Sequence, residues 1–179
     1  TVRIEMPENM AFQLMAQAMK ETSDPVLLPE WQEDKADLNA ELTSVRSTII
    51  SSAKKTATMG DKTIIKDAEL QAIVPIHPYA ALLLKHMSVA FNSNARSMFD
   101  FIISNDMTDA KAFKWYINNY GPLDEKNLLT IDMLWDFFTG ADHSGLNDDV
   151  RVILDSYNLL KKDSLTPDQE RVFKTVLLL

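Results

Sequence analysis

Residues 76–103 read IHPYAALLLKHMSVAFNSNARSMFDFII. Pro78, directly after His77, suits the first position of a helix, where the backbone N–H has no intrahelical acceptor to lose. From there apolar residues occupy more than one face as far as Phe91. Asn92-Ser93-Asn94 interrupts the run with residues that end one helix and start another. Ala95 to Ser104 predicts a second apolar helix. Helices that are apolar on more than one face belong inside a domain, so this pair is expected at the centre with the other helices packed around it. Arg96 lies within the apolar segment. A guanidinium cannot shed its charge on burial and must meet a carboxylate, a carbonyl or a phosphate. Asp100, one turn on, is the nearest internal partner. Asn94 beside it is either a plain N-cap or part of an anion contact at a helix start.

Moving outward, Asn105-Asp106 ends the second helix, and a third runs from Thr108 or Asp109 to about Tyr120, where Gly121-Pro122 stops it. Thr130 caps a helix predicted over Ile131–Thr139, followed by a loop from Gly140 to Gly145. Asn147 caps another over Asp148–Lys162, with Val152, Leu154 (or Ile153), Tyr157 and Leu160 expected to face inward. Thr166-Pro167-Asp168-Gln169 combines an N-cap, a Pro in the first turn and a capping-box Gln, so a last helix begins there.

On the other side, residues 1–8 alternate weakly as a strand does, and Glu8–Thr22 has helical spacing with Asn9 as a candidate cap. Asp24-Pro25 reads as a helix start, but Pro29 argues against a long helix at that point. Trp31, Leu38, Leu42, Val45 and Ile49 form one stripe of a long helix from about Glu30 to Met59, ended by Gly60-Asp61. The polar Gln32–Asp37 stretch is a candidate turn within it. Lys62–Ile65 and Ala72–Ile76 are short strand candidates around a helical turn at Asp67–Gln71, and together they would form a small two-stranded ribbon. The expected fold is therefore mostly α, a multi-helix bundle-like domain with a small β element at most.

One domain is expected from 179 residues, enough to bury a sizeable core. A net charge of −8 argues against a nucleic-acid partner for this chain, since a phosphate backbone is met by concentrated positive charge. The basic spots, Lys54-Lys55 and Lys161-Lys162, are short. With no cysteine, disulfides, thiolate zinc sites and cysteine nucleophiles are excluded. No run of about 18 apolar residues appears, so no membrane partner is expected, and no signal peptide is read at the start. The chain begins at Thr1 and stops inside the apolar run Val176–Leu179. Both ends read as cut, and the expectation is a piece of a longer cytoplasmic protein.

Few residues carry the pattern of a known chemistry. His77, His86 and His143 lack metal-ligand spacing, and there is no HExxH. Neither a Walker A sequence nor GxGxxG occurs. Asp142-His143-Ser144 holds the residue types of a serine triad, but adjacent residues of one loop cannot adopt its geometry. Trp115, Tyr116, Trp135, Phe137 and Phe138 are expected in the core rather than on a base-stacking surface.

Three stretches resemble a family. Ile76-His77-Pro78 through Leu84 is similar to the PLHPLTALLL segment of large prokaryotic P-loop ATPases from phage-defence and other conflict systems, the BREX-type ATPase among them. Phe91 to Phe101, FNSNARSMFDF, is similar to their FGQNERSLFSFL, with Ser93 and Ala95 replacing the family Gln and Glu. The end, RVFKTVLLL from Arg171, resembles RVLKTIGLL. The likeness spans residues 76–179, a helical lid-like or linking region; residues 1–75 form an unassigned helical segment that joins it in one compact unit. The resemblance implies a nucleotide-binding core ahead of this region, with ATP and magnesium bound by the parent and no cofactor in this piece. It also implies that Arg96 and Asn94 sense the nucleotide, supported by Ser97 and His77. The implied function is a non-catalytic element that couples nucleotide state to neighbouring domains, its partners being the rest of the ATPase and other protein subunits. Two further readings stand beside it: a helical protein-interaction scaffold with no nucleotide role, and an independent small-molecule binding domain, which needs a pocket built from several helices.

Overall fold

The structure, a computed structural model, describes residues 11–19, 21, 23–57, 65–90, 98–104, 111–125, 127–139, 148–161 and 165–179. Among them are ten helices: α1 Ala11–Ala18, α2 Leu27–Glu41, α3 Thr43–Ala57, α4 Asp67–Ala72, α5 Pro78–Ala90, α6 Met98–Ile103, α7 Phe113–Asn119, α8 Ile131–Thr139, α9 Asp148–Lys161 and α10 Pro167–Leu178. The protein is mostly α-helical.

The two central helices take the place their composition demands. Helix α5 contacts α3, α6 and α8, and α6 contacts α1, α5 and α7. Ala80, Ala81 and Leu84 of α5 and Phe101 of α6 are fully buried. Phe12 and Met15 of α1, Ile49 of α3 and Leu70 of α4 close one side of this core, and Leu134, Phe137 and Phe138 of α8 close the other. Phe137 meets both Phe101 and Phe138 edge-on with ring centroids 5.0 Å apart, a favoured aromatic geometry.

A single parallel bridge sets the start of α5 against the start of α8. The Leu129 N–H donates to the Pro75 carbonyl at 2.9 Å, and the His77 N–H donates to the Leu129 carbonyl at 2.9 Å. Ile76 and Leu129 are both buried at this bridge. The strand expected over Ala72–Ile76 is thus corrected: α4 runs to Ala72, a turn with a cis Val74–Pro75 peptide follows, and Ile76 pairs with one residue only; of its expected partner strand Lys62–Ile65, residues 62–64 lie outside the described residues. Among the described residues there is no strand.

Two further expectations are corrected. Pro29 does not shorten its helix, because it falls in the first turn of α2, where its missing N–H costs no hydrogen bond. Asp24 does serve at the start: its carboxylate accepts from the Val26 N–H at 2.8 Å and the Leu27 N–H at 3.4 Å. The single helix expected over 30–59 is two, α2 and α3, and the break is at Leu42 rather than at Gln32–Asp37, which is helical throughout. At the break the Asn39 carbonyl accepts from the Thr43 hydroxyl at 3.2 Å and from the Arg46 guanidinium at 2.7 Å. Side chains therefore engage the carbonyl that a continuous helix would give to the next turn.

Later elements follow their signals at most boundaries, but the helix expected from Thr108 or Asp109 starts only at Phe113, after an extended Ala112. Helix α7 ends before Gly121-Pro122, and α8 begins after Thr130. Thr166 and Gln169 form the reciprocal capping box, with Pro167 at the first position of α10. In α9, Leu154 and Tyr157 are buried as expected, but Val152 points outward, 65% exposed. Its position, five residues before Tyr157, lies on the far side of a helix of 3.6 residues per turn. The strand read at 1–8, the cap at Asn9, the stop at Gly60-Asp61 and the loop at 140–145 lie outside the described residues.

The bridge gives a direct test. Leu129→Ala removes a fully buried side chain from the α5–α8 junction and is expected to lower stability by about 2–4 kcal/mol. Leu123→Ala, at a side chain 95% exposed, should change it by less than about 0.5 kcal/mol. Urea unfolding midpoints of the two variants check the contrast.

Candidate functional site

Of the residues singled out from sequence, Asn94, Arg96 and Ser97 lie outside the described residues. His77 is described. It is half-buried at the N-terminus of α5, its Nδ1 accepts from the Tyr79 N–H at 3.3 Å, and its ring stacks on that of Tyr79 at 5.7 Å. Burial pushes the imidazole below its ordinary value, so it stays neutral and keeps Nδ1 as an acceptor. That geometry is a helix-start contact; the residues that would share a site with it are not among those described.

The buried guanidinium of the described structure is Arg46, 4% exposed. Its Nε donates to Asp67 Oδ1 at 2.8 Å, and its terminal nitrogens reach the Asn39 carbonyl, Asn39 Oδ1 at 3.2 Å and Thr43 Oγ1 at 3.4 Å. The Arg46 hydrogen bond, against the cost of burial, holds the Asp67 carboxyl below its usual range. This cluster ties α2 and α3 to the N-terminus of α4, where a carboxylate is also favoured by the helix dipole. With its donors engaged inside the fold, Arg46 is a structural clamp. The signal for it is present in the sequence: Arg46 interrupts the Leu42, Val45, Ile49 stripe at a position where an apolar residue is expected.

A second charged group has the makings of a site. Asp132 and Asp136 stand one turn apart on α8, facing α10, the partner against which α8 packs most extensively among the described helix pairs. Asp132 is buried, 9% exposed. Its Oδ1 accepts from the Thr130 hydroxyl at 2.5 Å, and its Oδ2 accepts from Arg171 Nε at 3.0 Å. Asp136 is bound from two directions, by Lys111 at 2.6 Å and by Lys174 at 3.0 Å. Burial alone would raise its carboxyl, but the hydrogen bonds from the two lysines outweigh burial and hold it below the usual carboxylate range. Burial likewise opposes the Lys174 charge, yet Asp136 and Glu170 keep its ammonium above the ordinary value. Glu170 is 3.2 Å from Lys174 and also accepts a hydrogen bond from the Tyr157 hydroxyl. Burial, with that hydrogen bond, pushes Tyr157 up to about 12.

Lys111, Asp132, Asp136, Glu170, Arg171 and Lys174 line a cleft of about 300 Å³ between α8, α10 and the start of α7, with Trp115 and Tyr120 on its wall. Lys111 lies over the Trp115 ring at 5.3 Å. Three cations face three carboxylates, so the cleft is charge-balanced. Arg171 and Lys111 are the most exposed members, with side chains 44% and 49% exposed, and beyond its Nε bond the Arg171 side chain donates no hydrogen bond among the described residues.

Outward from the cleft, α10 presents Val172 (65% exposed) and Val176 (62%), followed by Leu179 (84%) just past its end, and α9 presents Val152 and Leu159. Val172 and Val176 line an open, almost wholly apolar groove with Leu165 and Phe173. No residue of α10 is fully buried. Phe173, Leu177 and Leu178 are half-buried against Trp135, Leu154 and Tyr157. No helix among the described residues is long and apolar enough to cross a membrane. Set against family models, curated proteins and solved structures, the chain matches none.

His77 yields a pH prediction with a fixed sign. Its folded value lies below the unfolded one, so the unfolded chain takes up this proton first, and stability falls as pH drops through about 6.5. Asp67 and Asp136 act lower, in the acid range beneath the ordinary carboxylate values. Urea midpoints measured at steps between pH 8 and pH 5 should therefore decline for the wild type, and His77→Gln should flatten that decline.

Proposed function

We propose that this chain is a non-catalytic helical module of a larger ATPase, one that couples nucleotide state to a neighbouring domain through α10. The observation that carries this reading is the two-sided character of that helix. Its inner face is fastened to α8 by Arg171–Asp132 and Lys174–Asp136, and its outer face exposes Val172 and Val176 one turn apart. Ion pairs at partly exposed positions hold weakly, whereas an apolar stripe facing solvent gains by being covered. A helix so placed can be moved by whatever packs on its outer face. The stretch that resembles the ATPase segment RVLKTIGLL, residues 171–179, falls on this helix and the residue after it. Arg96 and Asn94 remain the residues that the resemblance would assign to sensing the nucleotide.

The apolar stripe also fits a helical protein-interaction scaffold with no nucleotide role, since covering it requires only a protein partner.

Titration of ATP–magnesium into this chain and into the protein made from its full reading frame separates the two. The coupling reading expects no binding by the chain, binding and hydrolysis by the full protein, and a nucleotide-dependent rearrangement that is lost on Arg96→Ala. Val172→Glu with Val176→Glu should leave nucleotide affinity within about twofold while abolishing the rearrangement, because a buried unpaired charge defeats an apolar contact. A full protein that binds no nucleotide would discard the ATPase reading and leave the scaffold.

A further inference from the structure

A second cavity, of about 290 Å³, shares only Tyr120 with the charged cleft. It is built from several elements: the ends of α1 and α4, the start of α2, the Val74–Pro75 turn, α7 and the segment after it. Its walls are aromatic. Phe113 and Tyr116 lie 6.3 Å apart and nearly parallel, and Tyr116 and Tyr120 are 5.5 Å apart. Trp31 faces the same space while packing on the Leu38, Leu42 and Val74 cluster. Pro75 and Pro122 add flat apolar surface.

We propose that this cavity is a binding site for a small uncharged aromatic molecule carrying one hydrogen-bonding group, which meets the side chain of Asn127. Three observations set that chemistry. The lining is mostly apolar, and its rings offer the offset and edge-on packing that aromatic ligands prefer. The charged residues that line it, Glu21 and Lys35, neutralise each other at 2.6 Å. A charged ligand would have to break that pair or enter without a counter-ion, and either is costly in an apolar surround. Finally, Asn127 lines the cavity, and its side-chain amide makes no hydrogen bond among the described residues. It supplies one donor–acceptor group able to orient a ligand. Burial raises the Tyr116 hydroxyl above its ordinary value, which keeps this wall neutral as well. The volume is at the small end of ligand cavities, which run from about 300 Å³ upward, and suits one or two fused rings. Entry is open at Ile117, 50% exposed.

Indole, a neutral bicyclic ring with one N–H, is the probe, titrated into the whole isotope-labelled chain and followed by amide chemical shifts. Saturable shifts at Ile117, Tyr120 and Asn127 are expected, with affinity about tenfold or more above that of indole-3-acetate, whose charge the cavity cannot meet. Asn127→Ala should weaken indole about five- to tenfold, the worth of one hydrogen bond. Ala72→Phe and Ile117→Trp, which crowd the cavity, should abolish saturation in variants whose melting remains cooperative. The proposal is overturned if indole shifts are non-saturable, if indole-3-acetate or cyclohexanol binds as tightly, or if Asn127→Ala leaves the affinity unchanged.

Discussion

Helix α8 is buried along most of its length, and it carries two carboxylates into that position. Asp132 and Asp136 cannot stand unpaired where water is largely excluded, so the arrangement of the neighbouring elements follows from meeting them. Thr130 and Arg171 satisfy Asp132, while Lys111 and Lys174 satisfy Asp136. The cations come from the segment before α7 and from α10, which places both against α8. Trp135, on the same helix, then receives Tyr157 at 4.9 Å and brings α9 into the assembly. The aliphatic and aromatic core supplies most of the driving force, but these charges decide which elements may lie over α8.

The proposed coupling role rests on α10. A helix held by apolar burial separates only with the whole fold. Helix α10 is held through two ion pairs, of which only Arg171 is well exposed, and through side chains none of which is fully buried, and that attachment coexists with an uncovered apolar face. The charged cleft beneath it is balanced, which argues against a strong anion site there and in favour of a seam between two parts. The apolar cavity is separate from this seam in both position and chemistry.

Much of the fold is legible in the sequence because its signals are local. The apolar faces of residues 78–90 place α5 inside, Thr166-Pro167-Asp168-Gln169 states its own helix start, and Gly121-Pro122 states its stop. What escapes the sequence depends on partners far along the chain. Asp132 and Arg171 are 39 residues apart, and nothing in the local pattern of either announces the other. The break at Leu42 depends on Arg46 reaching back to Asn39 while it holds Asp67, a tertiary arrangement that a continuous helical stripe conceals. Ile76 reads as strand because its neighbours are apolar and β-branched, yet its bridge to Leu129 uses one residue and ends where the two helices begin. The apolar cavity was anticipated only as a general requirement for a pocket drawn from several helices; of its aromatic wall, Tyr116 read as core and Trp31 as part of a helix stripe, and nothing local in either announces a shared cavity.

Native-state hydrogen exchange of the amides in α10, measured at low salt and at about 1 M salt, where screening acts within a few ångströms, tests the seam most directly. Helix α10 should open at a lower free energy than α5 and α8, and salt should speed its exchange several-fold while leaving α5 nearly unchanged. If α10 exchanges only with global unfolding and does so at the same rate at both salt concentrations, the helix is an integral part of the core and the coupling role assigned to it is wrong.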